Sequence, residues 1–329
     1  MAKFDTNLIY LLSENARMQL QELSKQLKKT PQRLRYSIGA LSRDELLKEP
    51  YTVYDYSYFG MLLFRVYFKG AYVSEQEKTR IVKELSNNPY IVALYEFGGE
   101  FDLTAEFASP NPSRFNKELK KLSRTIPTLK DYKIVLNLVT YVCPKNHLTK
   151  FEALQMLNTE RIIGGDRERE FFTKNEMTLI KTLYFNPQMR YSEISRITGL
   201  NVKTAKAVHK NLIKRNIIKG SKHMLNNQKL DVEKFRLFLR LHNVSPERDA
   251  HLIEYLLRLK EVSNINKTVG DWDLEVDVEA QEKVRIRYII MKLREEFKDL
   301  IETFNLIEYY DTYKRTYLPL YLFQEEERQ

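Results

Sequence analysis

The side chains with the clearest chemistry in this 329-residue chain are cations at helical spacing. Lys203, Lys206 and Lys210 recur at i, i+3 and i+7, so a helix over 201–215 carries them on one face, with Thr204 and Lys214 beside them. A second set, Gln32, Arg33, Arg35, Tyr36 and Arg43, lies on one face of a segment 30–43. Such faces suit duplex DNA. Lysines neutralise phosphates, an arginine fork meets guanine O6 and N7, and a glutamine amide meets adenine N6 and N7. An ordinary solvated helix face is the plain alternative for either set.

Other chemistry is sparser. Asp271, Asp273, Glu275, Asp277 and Glu279 alternate along a strand-like run, which puts all five carboxylates on one face; we expect a solvated or subunit-facing edge rather than a metal site. The histidines, His147, His209, His223, His242 and His251, show no paired-ligand spacing. A lone Cys143 excludes an intramolecular disulfide and the usual ligands of zinc ribbons and iron–sulfur clusters, and it reads as packing. The sequence has no G-x-x-x-x-G-K-[ST] phosphate loop, G-x-S-x-G elbow or G-x-G-x-x-G turn. The expectation is of no metal, no cofactor and no catalytic residue: not an enzyme.

Net charge is +10, unevenly spread. Residues 1–50 carry +3, 51–170 carry +2, 171–225 carry +9 and 226–329 carry −4; within 171–225, Glu176 and Glu193 are the only acids. A 43% hydrophobic composition excludes a disordered chain, and the length suggests two or more domains. No apolar run approaches the ~20 residues of a membrane helix, and the opening residues do not read as a signal peptide, so a cytoplasmic location is expected.

The elements that must position these cations come in duplicate. Residues 8–48 and 179–219 align without a gap, matching Leu8 with Leu179, Leu12 with Leu183, Glu22 with Glu193, Ser24 with Ser195 and Leu41 with Leu212. The same register later matches GEFDL (99–103) with GDWDL (270–274). Each copy opens with three short helices. Thr30-Pro31 starts the third in copy one, burying Leu34, Ile38 and Leu41; Asn201 caps its equivalent, with Val202, Ala205, Val208 and Leu212 inward. Leu46–Tyr54 and Ile217–Leu225 suit a two-stranded wing in each copy. The period then changes to strands and helices in the order βαββαβ.

The fold class expected is α+β, two tandem copies of a winged helix-turn-helix plus a ferredoxin-like domain. The boundaries are 1–55 and 56–145 in copy one, a linker at 146–170, then 171–225 and 226–329 in copy two.

The ELSKQL and EISRIT helices, the TPQRLRYSIGAL helix and the GEFDL and GDWDL turns resemble the Lrp/AsnC family of feast/famine regulators over nearly the whole chain, twice. Family members usually carry one copy and dimerise through their ferredoxin-like domains, so the resemblance implies a one-chain pseudo-dimer, with pairing between chains as the alternative. It implies sequence-specific DNA binding by a transcriptional regulator, and an amino acid or other small effector near the turn residues Gly98, Gly99, Asp102, Gly270 and Asp273. Those residues are equally explained as turn formers. Two alternatives accompany this reading. Siroheme decarboxylases look like the same fold, with His242 and His251 available; a low-specificity architectural DNA-binding protein is the other.

Overall fold

The computed structural model describes residues 4–324. Copy one runs α1 (Thr6–Glu14), α2 (Leu20–Leu27), α3 (Pro31–Arg43), β1 (Leu47–Tyr54), β2 (Leu62–Lys69), α4 (Glu75–Asn87), β3 (Ile91–Gly98), β4 (Leu103–Ser109), α5 (Pro112–Thr125) and β5 (Asp131–Val142). A connecting stretch holds the one-turn helix α6 (Glu152–Gln155) and β6 (Arg161–Gly164). Copy two runs α7 (Lys174–Phe185), α8 (Tyr191–Thr198), α9 (Val202–Lys214), β7 (Ile218–Leu225), β8 (Glu233–Leu241), α10 (Pro246–Leu257), β9 (Val262–Val269), β10 (Leu274–Ala280), α11 (Lys283–Glu296) and β11 (Ile301–Arg315), and α12 (Tyr321–Gln324) closes the chain. From α2 and α8 through to α5 and α11, paired elements begin 171 residues apart. The architecture is α+β in two tandem copies.

Two compact units form, and neither is a copy. The first takes residues up to 55, 144–159 and 169–230; the second takes 56–143, 160–168 and 231 onward. The helix trios of both copies therefore share one unit, and the βαββαβ parts share the other.

In the first unit the expected pair of wings is absent. Among the described residues each copy has one strand there, and β1 pairs antiparallel with β7, Thr52 opposite Ser221. A lone strand leaves its amides and carbonyls unpaired, and the other copy's equivalent strand satisfies them. The exchange is reinforced by side chains. The Thr52 hydroxyl donates to the Leu183 carbonyl (2.9 Å) and the Tyr54 phenol to the Ile180 carbonyl (2.9 Å), seating copy one's strand on copy two's α7. In the reverse direction Lys222 Nζ lies 2.9 Å from both Glu14 oxygens, the pair being buried. The stretch 146–170, expected as a linker, is also structured: Thr149 Oγ1 donates to Asn7 Oδ1 (2.7 Å), and β6 pairs with β5.

In the second unit the strands run β2-β4-β3-β11-β8-β10-β9-β5, with β5 also pairing back to β2 and β6 added beyond β5. The two four-stranded sheets thus close into one antiparallel barrel. Side chains alternate across the wall. Leu237, Leu239, Val276 and Val278 face outward into a core with Leu252, Leu256, Ile286 and Leu293 of α10 and α11. Inside lie Tyr67, Tyr95, Phe97, Phe238, Trp272 and Tyr309.

The barrel interior is also charged. Arg65 pairs with Glu106 (2.8 Å) directly across β2 and β4, and Arg236 pairs with Asp277 (2.7 Å) at the equivalent place across β8 and β10. Glu275, fully buried, contacts Arg65 and lies 3.6 Å from Arg236, so it joins the two copies. The acidic run of copy two is solvated only at its start: Asp271 is exposed and Asp273 half-exposed, whereas Glu275, Asp277 and Glu279 are buried because the interior supplies Arg65, Arg236 and Lys234. On the outer side the copies exchange signs, with Lys78–Glu96 (3.2 Å) in copy one replaced by Asp249–Lys267 (2.5 Å) in copy two. Arg236→Met should destabilise the protein by about 3–5 kcal/mol, because it removes the close charge partner of the buried Asp277 and leaves it Tyr309, Asn264 and the more distant Lys234. A urea titration would measure the loss, and a combined Arg236→Met, Asp277→Leu variant should recover most of it.

Candidate nucleic-acid interface

The face expected on α9 is present and clean. Asn201 Oδ1 accepts from the Thr204 amide (2.7 Å), fixing the first turn, and Ala205 and Leu212 anchor the helix in the unit's core. Lys203, Lys206, Lys210 and Lys214 are exposed, and none pairs with a carboxylate among the described residues; Thr204 is half-buried. The preceding helix α8 ends on Gly199, whose left-handed φ of 72° makes the turn between the two helices.

The two acids of residues 171–225 are engaged in helix caps and with Arg215. Glu176 closes the capping box of α7 with Thr173 and receives Arg215, and Glu193 Oε2 accepts from the Arg190 amide (3.0 Å). Burial would raise the Glu176 carboxyl, yet its hydrogen bonds to Thr173 and the Arg215 charge hold it below the usual range. Arg215 thus works inside the fold, contacting Glu170 as well.

Copy one repeats the framework with different chemistry. Thr30 Oγ1 caps α3 at the Arg33 amide, Pro31 opens it, and Leu34 and Leu41 are buried. Gln32, Arg33, Arg35, Tyr36 and Arg43 are exposed, Tyr36 at 73%. Lys28 stands where copy two has Gly199, in the same left-handed region at φ 51°.

Sequence reasoning missed His209. It lies on the inner side of α9, buried, with Nδ1 2.5 Å from the Tyr191 hydroxyl. Lys206 and Arg17 approach the faces of the same Tyr191 ring. The i+7 spacing from Val202 was the available signal, and Val202 itself, expected inward, is 38% exposed.

The turn residues of the second unit do structural work. Asp102 Oδ2 accepts from the Ala71 amide (2.9 Å) and Asp273 Oδ2 from the Leu241 amide (2.8 Å). A Cβ on Gly98 would meet the Tyr310 ring at 2.4 Å, and Gly99 and Gly270 hold φ of 124° and 150°. The carbonyl of Gly270 accepts from Arg240 (2.7 Å). Trp272 is buried and stacks on Phe238 at 4.1 Å, a core aromatic.

Inside the barrel a small cavity is lined by Arg65, Glu106, Thr140, Asn266, Arg315 and Tyr317, with room for about one water molecule. The ionised groups of the barrel interior are engaged with one another. Burial pulls the Arg65 guanidinium down, but Glu275 and Glu106 more than restore it; burial would raise Asp277, but Arg236 and Lys234 hold it below the carboxylate range. His242, after β8, has a buried Nδ1 without a partner, and His251 packs on Phe297. Among the described residues no group of three or more His, Cys, Asp or Glu converges for a metal, and no helix is long and apolar enough to cross a membrane.

No family model matches the sequence, and no curated protein does. Among solved structures, the siroheme decarboxylase NirDL in co-complex with an iron-uroporphyrin III analogue matches 97% of this chain and 97% of its own, at TM-score 0.59 and 12% identity. A second NirDL structure matches at TM-score 0.58 and 13% identity, over 97% of this chain and 96% of that one. E. coli AsnC matches 42% of this chain and 91% of its own, at TM-score 0.35 and 16% identity. This chain shares its fold, both copies included, with NirDL. The expectation that it is not an enzyme is overturned by that match, since the protein of the same whole architecture is an enzyme.

Burial, and secondarily the Arg17 charge, lower His209 to a pKa of about 4. It binds its proton more weakly folded than unfolded, so its share of stability is complete above pH about 6.5 and is lost as pH falls toward 4, by up to about 3 kcal/mol. Urea midpoints at about pH 7 and about pH 4.5 should show that loss, and His209→Gln should flatten it.

Proposed function

We propose that the helix-turn-helix unit binds duplex DNA, with α3 and α9 as the helices that enter the major groove, in a transcriptional regulator. The observation that carries this reading is the α9 face: four exposed lysines without carboxylate partners, in a segment whose only acids are tied into caps and Arg215. A helix set out in that way supplies the counterion-release part of binding. A small effector, an amino acid among the candidates, is part of the proposal. So is a one-chain pseudo-dimer, supported by the swapped β1–β7 strands and the shared barrel.

A second reading is favoured by a different observation. The full-length likeness to NirDL supports a decarboxylase acting on a carboxylated tetrapyrrole of the siroheme type. Such a reaction releases each carboxylate as carbon dioxide and leaves a proton in its place. The substrate's carboxylates call for cations, and the barrel's buried Arg65 and Arg236 are already paired with Glu106, Glu275 and Asp277. On this reading the substrate sits outside the closed interior or opens it. The two readings use different units and are separately testable.

Salt-titrated binding to duplex DNA is the first test. Lys203, Lys206 and Lys210→Ala together should lower the log–log salt slope by about 2.7 and weaken binding to all sequences. An unchanged slope would remove α9 from the interface. Incubation with siroheme, followed by mass spectrometry for lost carboxylates, tests the second reading; an unchanged tetrapyrrole would reject it.

A further inference from the structure

The two helices of the DNA-binding unit present different chemistry at identical positions. Along the exposed stripe, Gln32 faces the place of Lys203, Arg33 of Thr204, Arg35 of Lys206, Tyr36 of Ala207, Gly39 of Lys210 and Arg43 of Lys214. Copy two's stripe carries four ammonium groups beside Thr204 and Ala207, and an ammonium is a point charge without directional preference. Copy one's stripe holds the planar groups that read base edges: an amide for adenine, guanidinium forks for guanine and an exposed phenol ring.

Gly39 adds an independent observation. It sits in the interior of α3, exposed, and a Cβ there would meet nothing within 4 Å. Helix-interior glycine costs about 1 kcal/mol relative to alanine, and packing inside this chain gives no reason for it. A gap on the stripe lets the helix backbone come close to whatever it meets, where Lys210 in copy two holds its partner at arm's length. Charge points the same way. Copy one's first 50 residues carry +3, against +9 for residues 171–225, and Glu45 beyond the end of α3 is occupied by Lys229 (2.6 Å).

We infer that the two helices divide the work: α3 reads the sequence and α9 holds the neighbouring phosphates without reading. The inference rests on the DNA-binding reading above. It implies a target with one short specified half and a flank whose sequence is indifferent, unlike the inverted repeat that two identical helices would select.

Selection of bound sequences from random duplexes, with salt titration of the selected site, tests it on the full chain. The wild type should enrich one unpaired half-site. Lys203, Lys206 and Lys210→Ala should enrich the same site with lower affinity and a shallower slope. Arg33→Lys with Arg35→Lys keeps the charge and removes the forks; it should retain the wild-type slope while discrimination between selected and random duplex falls about tenfold or more. All five positions lie on solvated helix surface, so folding is not at stake. An inverted repeat with equal information in both halves would overturn the inference, as would an altered site in the lysine variant or undiminished discrimination in the arginine variant. Tight binding with no enrichment would overturn it and leave DNA binding standing. No binding by the wild type at low salt would overturn DNA binding itself and this inference with it.

Discussion

Two guanidinium groups buried inside a closed ring of strands are the constraint on which the second unit depends. Arg65 and Arg236 are each about 2% exposed, and an unpaired charge in such a place is untenable. Each is answered within its own copy, by Glu106 and Asp277, and Glu275 then links the two pairs. Glu275 has no equivalent in copy one, where Thr104 stands at its position. The link between the two buried guanidinium groups thus requires both copies in their proper order. Tyr67 repeats the lesson, accepting from Arg236 Nη1 of the other copy at 2.7 Å, while Phe238 occupies its place in copy two.

The first unit reaches the same dependence by exchanging strands. Neither β1 nor β7 forms a wing alone, and each rests on a helix of the other copy. Lys222 and Glu14, buried together, have Tyr51 and Phe185 at the equivalent positions, so this pair too exists only once. Duplication followed by one-sided change converts a symmetric association into a specified one. The sign-reversed pairs Lys78–Glu96 and Asp249–Lys267 show that such change can run through both partners while the interaction is kept.

Much of this was legible in residue order. The 171-residue register, the caps at Thr30 and Asn201, and the alternation of the βαββαβ segments all mark local structure, and local structure follows from neighbouring residues. The exposed cations of α3 and α9 were legible for the same reason, since helical spacing alone decides which side chains share a face. What residue order did not reveal was partnership across the copies. Leu46–Tyr54 reads as half of a hairpin whether its partner is the next segment or one 171 residues away. The alternating Asp271–Glu279 run reads as a solvated or subunit-facing edge along its length until Arg65 and Arg236 are brought against Glu275 and Asp277. His209 was missed because a polar side chain on a helix whose neighbours are lysines looks exposed, and only Tyr191 makes its burial tolerable.

The fold shared with a decarboxylase makes the state of the barrel's charges the physical point on which the two functional readings part. A carboxylated substrate needs cations whose own carboxylates are absent or yield readily. Here Glu106, Glu275 and Asp277 already supply what a substrate carboxylate would supply, and displacing any of them strands a buried acid at a cost of several kcal/mol. Glu275 Oε1 is already without a hydrogen-bond partner, so the network has no spare donor for a displaced group. A tetrapyrrole reaction on this chain would therefore draw on cations at the rim or couple substrate entry to an opening of the ring. The lysines of α9 meet no such barrier: among the described residues they are solvated, unpaired with carboxylates and on one face, so a polyanion bound there would release counterions and break nothing in the fold.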